Sequence, residues 1–337
     1  MNIIIELDRS EGFSQKNPYI SVILFDYINH NFTVDSVNSI ICQDTTPDNF
    51  ELVVLTDHEN PEYINCLKSS SINYLVIYTG LITIGESFAV AIRLSRGEIL
   101  TFLDNDDIYF SDRVEKIKRA FRATDNIGFL KNEVRVLSRE RKKDSLGFEY
   151  FLRMNIPVHC SGKLWVLGDD SPQKILGRSL LHNASSMAIK KRILERYTEE
   201  ISKIIAFQDS FLFFAGNLSG EKSVFLDECL TGYFVNRKSR TRSDFERDGQ
   251  ETSWARIALE YEESIFSLRV NNSNSRYIKD QFLLLLIRTK MLMYLRGDDQ
   301  TAIDCKDLIR TLLISIRHRS HNMLFLIIVY LLYKFGV

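Results

Sequence analysis

The sequence predicts an α/β fold, a mostly parallel sheet flanked by helices, followed by an all-α C-terminal extension. Three observations carry that prediction. Short β-branched apolar runs alternate with segments of helical period through the first third of the 337 residues. One such run leads directly into Asp104, Asn105, Asp106 and Asp107, where sheets of this class place ligands. No proline follows Pro172, so helix interiors downstream are free of the residue that breaks them.

Each element follows from local pattern. Residues 20–25 (ISVILF), 51–55 (ELVVL) and 72–78 (INYLVIY) read as buried strands. Between the first two, residues 32–42 carry Val34, Val37, Ile40 and Ile41 on one helical face. A helix over 86–95, with Gly97 placed to end it, precedes a strand over 99–103 (ILTFL). Val114, Ile117 and Phe121 then fall in register on a helix over 112–121. Strands alternating with helices call for a parallel sheet covered on both faces.

Beyond Arg139 a basic stretch and a glycine-dotted region predict loops and short antiparallel strands up to Gly177. Strand patterns return at 185–189 (SSMAI), 223–226 (SVFL) and 231–235 (TGYFV). After Arg242 come helical patterns over 251–270, 277–295 and 303–317, and a last one from His321. That last pattern holds eleven consecutive apolar residues, 323–333 (MLFLIIVYLLY). A span needs about 20. The run therefore suits a helix buried in a bundle, a homodimer contact, or a helix lying on a membrane surface behind Arg317 and Arg319.

Composition removes several classes of function. With 45% hydrophobic and 26% charged residues the chain is neither disordered nor a disulfide scaffold. Its 43 basic and 44 acidic side chains give no field that would gather nucleic acid, and none is expected as a partner. Five scattered cysteines show no zinc spacing, and residues 1–15 lack the features of a signal peptide. A reduced, cytoplasmic protein is expected, peripheral to the membrane if the last helix binds one.

The chemistry centres on FLDNDDIY, residues 102–109. Three carboxylates at a strand end repel unless something positive sits among them, and Mg²⁺ or Mn²⁺ carrying phosphate oxygens would do so. The plainer alternative is that Asp107 or Ser111 caps the following helix. A calcium loop starting at Asp104 fails because Ile108 and Tyr109 stand at two required positions. An aspartate-based phosphatase stays open on the Asp104 and Asp106 spacing. Gly80 and Gly85 are followed by Glu86 and Ser87, so they form no P-loop, and the first strand has no dinucleotide fingerprint after it.

These pieces in order, ISVILFDYINH, Gln43 after SIIC, ELVVLTDHEN and GEILTFLDNDDIYFSDRVEKI, resemble a family 2 glycosyltransferase of the GT-A fold from about Pro18 to Thr241. The resemblance implies a nucleotide-sugar donor, UDP- or GDP-linked, with Asp104 and Asp106 as the metal-binding D-x-D pair and Asp104 also touching the donor. It implies that Asp57 reads the base or ribose and that Tyr27 lines the base pocket, although core packing is an equally good use for Tyr27. FQDSFLFF, residues 207–214, resembles the segment whose aspartate is the general base, here Asp209. An ordinary helix cap is the other use for that residue. NASSMAIK, residues 183–190, is similar to the acceptor-facing strand.

LDECLTGYFVNRKSRT, residues 226–241, resembles the closing strand and loop, in which Arg237 and Arg240 would meet the diphosphate. Solvated charge is the alternative for that loop. Three positions depart from the family pattern: Asn236 stands for a histidine, Phe88 and Ala89 for an Arg-Asn pair, and Asp26 for a Pro-Thr neighbourhood. The expectation is a catalytic domain over 1–242 and a helical extension over 243–337. Its activity would be metal-dependent, inverting transfer of a hexosyl group to a hydroxyl of a glycan or lipid-linked acceptor. A phosphatase, or an inactive scaffold acting through its helical tail, are the alternatives.

Overall fold

The structure is a computed structural model that describes residues 5–10, 17–27, 30–80, 83–137, 160–167, 183–204, 208–234, 303–317 and 321–335, with scattered helical positions between 280 and 294. The strands are β1 (Ile5–Arg9), β2 (Ile20–Asp26), β3 (Phe50–Thr56), β4 (Asn73–Thr79), β5 (Ile99–Asp104), β6 (Ile108–Tyr109), β7 (Ile127–Leu137), β8 (Leu164–Val166), β9 (Met187–Lys190) and β10 (Lys222–Phe234). The helices are α1 (Thr33–Ile41), α2 (Pro61–Ser69), α3 (Ile84–Leu94), α4 (Arg113–Ala123), α5 (Lys191–Glu195), α6 (Thr198–Ser202), α7 (Gln208–Asn217), α8 (Cys305–Arg317) and α9 (His321–Phe335).

Among the described residues one sheet runs β1-β4-β3-β2-β5-β9-β7-β10-β6, with β8 added on β10. Strands β4, β3, β2 and β5 are parallel. Each of them is buried on both sides, and alternate residues feed two cores. Ile23, Phe25, Val53, Leu55, Leu100 and Phe102 face α3 and α5–α7. Val22, Leu24, Leu52, Val54 and Leu103 face α1, α2 and α4. The α/β expectation is met, and its helices cover both faces as a parallel sheet requires.

The differences from the sequence reading have physical causes. Gly97 does not end α3, which stops at Leu94. A Cβ at Gly97 would lie 2.4 Å from the Ser21 nitrogen, so glycine there lets the chain pass against β2. Helix α2 was not expected, and it rests on a cap from Asn60, Pro61 at its first turn and only Tyr63, Ile64 and Leu67 buried. Edge strand β1 carries Glu6, Asp8 and Arg9 and leaves Leu7 48% exposed, so its sequence lacks a buried pattern. The two strands expected after Ser223 are one, β10, which shifts register between Leu226 and Thr231. Asp227 and Glu228 interrupt the apolar run, but Asp227 Oδ2 accepts from Ser161 and Glu228 pairs with Lys116.

The described parts of the C-terminal region are helical and pack on one another through Leu284, Ile287, Met291, Ile303, Ile314, Met323, Ile327 and Tyr330. The pattern over 251–270 and the expected boundary at 242 lie outside the described residues. Among the described residues no helix is long and apolar enough to cross a membrane.

At the amino end of the parallel sheet, Glu51 is fully buried. It accepts from Ser21 Oγ at 2.6 Å, the Arg96 backbone nitrogen at 2.6 Å and Arg96 Nε at 2.9 Å. Removing one partner of a buried, hydrogen-bonded ion pair costs about 3–5 kcal/mol. Glu51→Ala should lower unfolding free energy by that order in urea titrations, with Glu51→Gln losing less.

Candidate active site

The carboxyl ends of β2, β3 and β5 lie side by side, because the three strands are parallel and in register. They deliver Asp26, Asp57 and the acidic turn 104–107 to one edge. Asp104 and Asp106 are partly exposed, whereas Asp107 is fully buried. Asp107 therefore does not cap α4: one of its oxygens accepts from the Phe234 nitrogen at 3.2 Å. Burial, followed by the Asp106 and Asp104 charges, pushes its carboxyl well above the usual carboxylate range. Ser111 does not cap either, since its hydroxyl donates to Asp44 at 2.8 Å.

The turn is held from below by α1. Ser36 Oγ contacts the Asn105 and Asp107 carbonyls at 2.9 and 2.6 Å, and Ser39 Oγ accepts from the Tyr109 nitrogen at 3.1 Å. Gln43 donates to the Phe110 carbonyl at 2.9 Å and accepts from the Val114 nitrogen at 2.9 Å, which serves the first turn of α4. Ser36 and Ser39 lie on α1 and Gln43 two residues beyond its end, so this helix and the residue that follows it fix both ends of the acidic segment.

A metal fits the acidic turn. Asp104 and Asp106 are partly exposed carboxylates on one turn, and a divalent ion needs one or two carboxylates when phosphate supplies the remaining ligands. The same field reaches Tyr233, whose phenol is raised by burial first and then by Asp107, Asp106, Asp104 and Asp209.

Asp209 lies in the first turn of α7. Its oxygens accept from the Ser210 nitrogen at 2.8 Å and the Asn183 nitrogen at 3.0 Å. Asn183 adopts a left-handed φ of 69°, and the segment after it supplies Ser185, whose hydroxyl accepts from the Asp104 nitrogen at 3.1 Å. The 183–190 segment thus links the acidic turn to α7.

Tyr27 donates to or accepts from Thr79 Oγ1 at 2.8 Å, and Ser87 Oγ donates to its hydroxyl at 3.2 Å. Burial raises its phenol above the ordinary value. Phe88 is 1% exposed and stacks on Phe25 at 4.4 Å, so the position of the missing Arg-Asn pair is core. Asp57 follows β3, close to His30 and His58. Arg237, Arg240 and Asn236 lie outside the described residues.

Sequence reasoning passed over Lys131 and Arg113. Both are buried charges. Arg113 donates to Asn132 Oδ1 at 3.1 Å and sits 3.7 Å over the Tyr109 ring. Lys131 donates to Ser186 Oγ at 2.6 Å, and burial lowers its pKa to about 7 against the opposing pull of Asp209. Alternation in IGFLKNEVRVL was the available signal, and the polar pair Lys131-Asn132 at its centre hid it.

The glycosyl transferase family 2 model matches residues 21–196, more than half of the chain. The chain belongs to glycosyl transferase family 2. An uncharacterized glycosyltransferase of Rickettsia bellii is 30% identical over 98 residues, which is 28% of this chain and only 14% of that relative. Among solved structures, S. aureus TarS 1-349 in complex with UDP-GlcNAc matches with a TM-score of 0.58 at 13% identity, covering 94% of this chain and 92% of that one. The mannosyltransferase PcManGT of Pyrobaculum calidifontis, in complex with GDP-Man and Mn²⁺, matches with a TM-score of 0.50 at 14% identity, covering 94% and 87%. These likenesses establish the GT-A fold of the family 2 chain. Membership favours glycosyl transfer over the phosphatase alternative.

Lys131 gives a pH test. Unfolded lysine keeps its proton to about 10.5, whereas the folded group releases it near 7. Between these values the unfolded chain binds more protons, so stability should rise with pH. Melting temperatures should therefore rise from pH 7 to pH 9 relative to the Lys131→Met variant, which lacks this titration.

Proposed function

We propose that this family 2 chain is a metal-dependent, inverting glycosyltransferase that moves a hexosyl group from a UDP- or GDP-sugar to a hydroxyl of a glycan or lipid-linked acceptor. The observation that carries the reading is the acidic turn, braced by α1 and tied through Ser185 and Asn183 to Asp209. The donors bound by TarS and PcManGT, UDP-GlcNAc and GDP-Man, support a nucleotide-sugar donor on the same fold.

In this reading Asp57 and Tyr27 orient the base and ribose at the ends of β2 and β3. Asp104 and Asp106 hold Mg²⁺ or Mn²⁺, and Asp104 also orients the donor. When bound, the ion supplies Lewis-acid neutralisation of the leaving diphosphate. Arg237 and Arg240 add positive charge to the same diphosphate. Asp209 takes the proton of the acceptor hydroxyl as that oxygen forms a bond to the anomeric carbon from the face opposite the leaving group. The anomeric C–O bond breaks, its electron pair leaves with the nucleoside diphosphate, and the configuration inverts. Backbone bonds from Asn183 and Ser210 keep the Asp209 carboxylate oriented for this step.

The helical extension is proposed to rest on an anionic membrane surface. On α8, Ile309, Leu312, Leu313 and Ile316 form an exposed stripe, and α9 adds Ile328 and Leu332. Exposed Lys306, Arg310 and Arg317 share α8 with that stripe, the combination that binds lipid headgroups. Such contact suits a lipid-linked acceptor and a peripheral, cytoplasmic location.

A UDP- or GDP-sugar should raise the melting temperature only with Mn²⁺ or Mg²⁺ present, and Asp106→Ala should abolish that metal-dependent shift. Asp209→Asn should keep the shift yet lose transfer by about 100-fold or more, the usual worth of a general base. Full transfer by that variant removes the assignment, and the absence of any donor shift in the parent would favour an inactive scaffold. Ile309→Asp with Leu313→Asp should reduce co-sedimentation with anionic vesicles. Unchanged partitioning contradicts the membrane contact, and vesicle-free dimers lost in the same variant would assign the stripe to a second copy.

A further inference from the structure

We propose that Asp26, His30 and His58, with Asp57 beside them, bind a borderline divalent cation such as Zn²⁺ at a site separate from the acidic turn. Asp26 ends β2, His30 begins the turn that leads into α1, and His58 follows β3 by two residues. Parallel pairing sets Asp26 opposite Thr56, so the two loops that carry the imidazoles meet over one carboxylate. One ligand atom from each of the three residues lies within 4.8 Å of the others.

The distances around Asp26 divide between a hydrogen bond and a coordination spacing. His30 Nδ1 lies 3.0 Å from Asp26 Oδ1, within hydrogen-bond reach, and His58 Nδ1 lies 3.9 Å from Asp26 Oδ2, which a shared ion would draw slightly closer. A tetrahedral zinc with ligands at about 2.0–2.2 Å sets those ligands roughly 3.3–3.6 Å apart. The two imidazole rings lie with centroids 3.5 Å apart. Two imidazolium charges at that separation would repel, whereas a metal takes both rings neutral.

A second observation is independent of this cluster. Asp57 Oδ1 is buried and accepts no hydrogen bond. It lies 3.6 Å from His30 Nε2 and 3.7 Å from His58 Nδ1, too far for hydrogen bonds but close to the spacing of two ligands on one ion. His30 presents one nitrogen to Asp26 and the other to Asp57. Nε2 can therefore ligate beside Asp57 Oδ1 while Nδ1 donates to Asp26 Oδ1, the usual outer arrangement of a metal-bound histidine.

Donor chemistry separates the two sites. The acidic turn offers oxygen only, which suits Mg²⁺ and Mn²⁺, whereas imidazole nitrogens select Zn²⁺ and its neighbours. Asn105 joins them, since its side chain donates to Asp26 Oδ1 at 3.1 Å. The proposal does not depend on glycosyl transfer, and its test reads metal alone.

Tag-free full-length protein, stripped with chelator and dialysed against Zn²⁺ without nucleotide, should retain one Zn²⁺ per chain. Co²⁺ in its place should give the intense visible absorption of a four-coordinate nitrogen and oxygen site. His30→Gln and His58→Gln should each weaken Zn²⁺ binding by about tenfold or more, and His58→Cys should restore it, because thiolate is a zinc ligand. Asp106→Ala should leave Zn²⁺ binding unchanged. Both histidines are about one-third exposed, and melting curves check that each variant folds. No retained Zn²⁺, retention in the double His30→Gln, His58→Gln variant, or loss in Asp106→Ala would each overturn the proposal.

Discussion

Five carboxylates, those of Asp26, Asp57, Asp104, Asp106 and Asp107, are brought to one edge by three adjacent parallel strands, and like charges so close together oppose folding unless each is separately accommodated. The chain answers residue by residue. Asp26 is buried but accepts from Thr33, Thr56 and Asn105 and contacts His30. Asp107 turns inward, where burial and its neighbours favour the protonated form. Asp104 and Asp106 stay partly exposed. Asp57 keeps an unsatisfied oxygen between two imidazoles. Charge management at this edge therefore accounts for both the proposed donor site and the proposed second cation site.

The remaining architecture holds that edge in place. Helix α1 braces the acidic turn through Ser36 and Ser39, and Gln43 just beyond the helix adds a third brace. Strand β10 closes over it by pairing Thr231 and Gly232 with β6. The 183–190 segment pins it to α7, with Lys131 and Arg113 buried against that segment. A site anchored on strand ends and one helix face is more rigid than one built on loops alone, which suits a reaction that depends on positioning.

Much of this was legible in the sequence, and the exceptions are instructive. Strands β2 to β5 announced themselves because both of their faces are apolar. The acidic turn stood out through its charge, and the order of motifs around it carried the family. Strand β7 was hidden by Lys131 and Asn132, buried polar residues whose partners come from the turn before β9 and from β10 and so cannot be seen locally. Helix α2 was hidden by its short buried face, and the middle of β10 by Asp227 and Glu228. At the site, Asp26 was seen only as a departure from the family pattern. Its meeting with His30 and His58 depends on strand register across the sheet, which no local spacing reveals. The roles of Arg237 and Arg240 rest on the resemblance alone.

The central claim is that the turn at 104–107 holds a metal ion against a nucleotide diphosphate. Paramagnetic broadening of the donor's phosphorus resonances by protein-bound Mn²⁺ tests it most directly. The account predicts strong broadening of both phosphates of a UDP- or GDP-sugar with the parent protein, and its loss in Asp104→Ala and Asp106→Ala while His58→Gln retains it. Broadening that persists in both aspartate variants would contradict the claim.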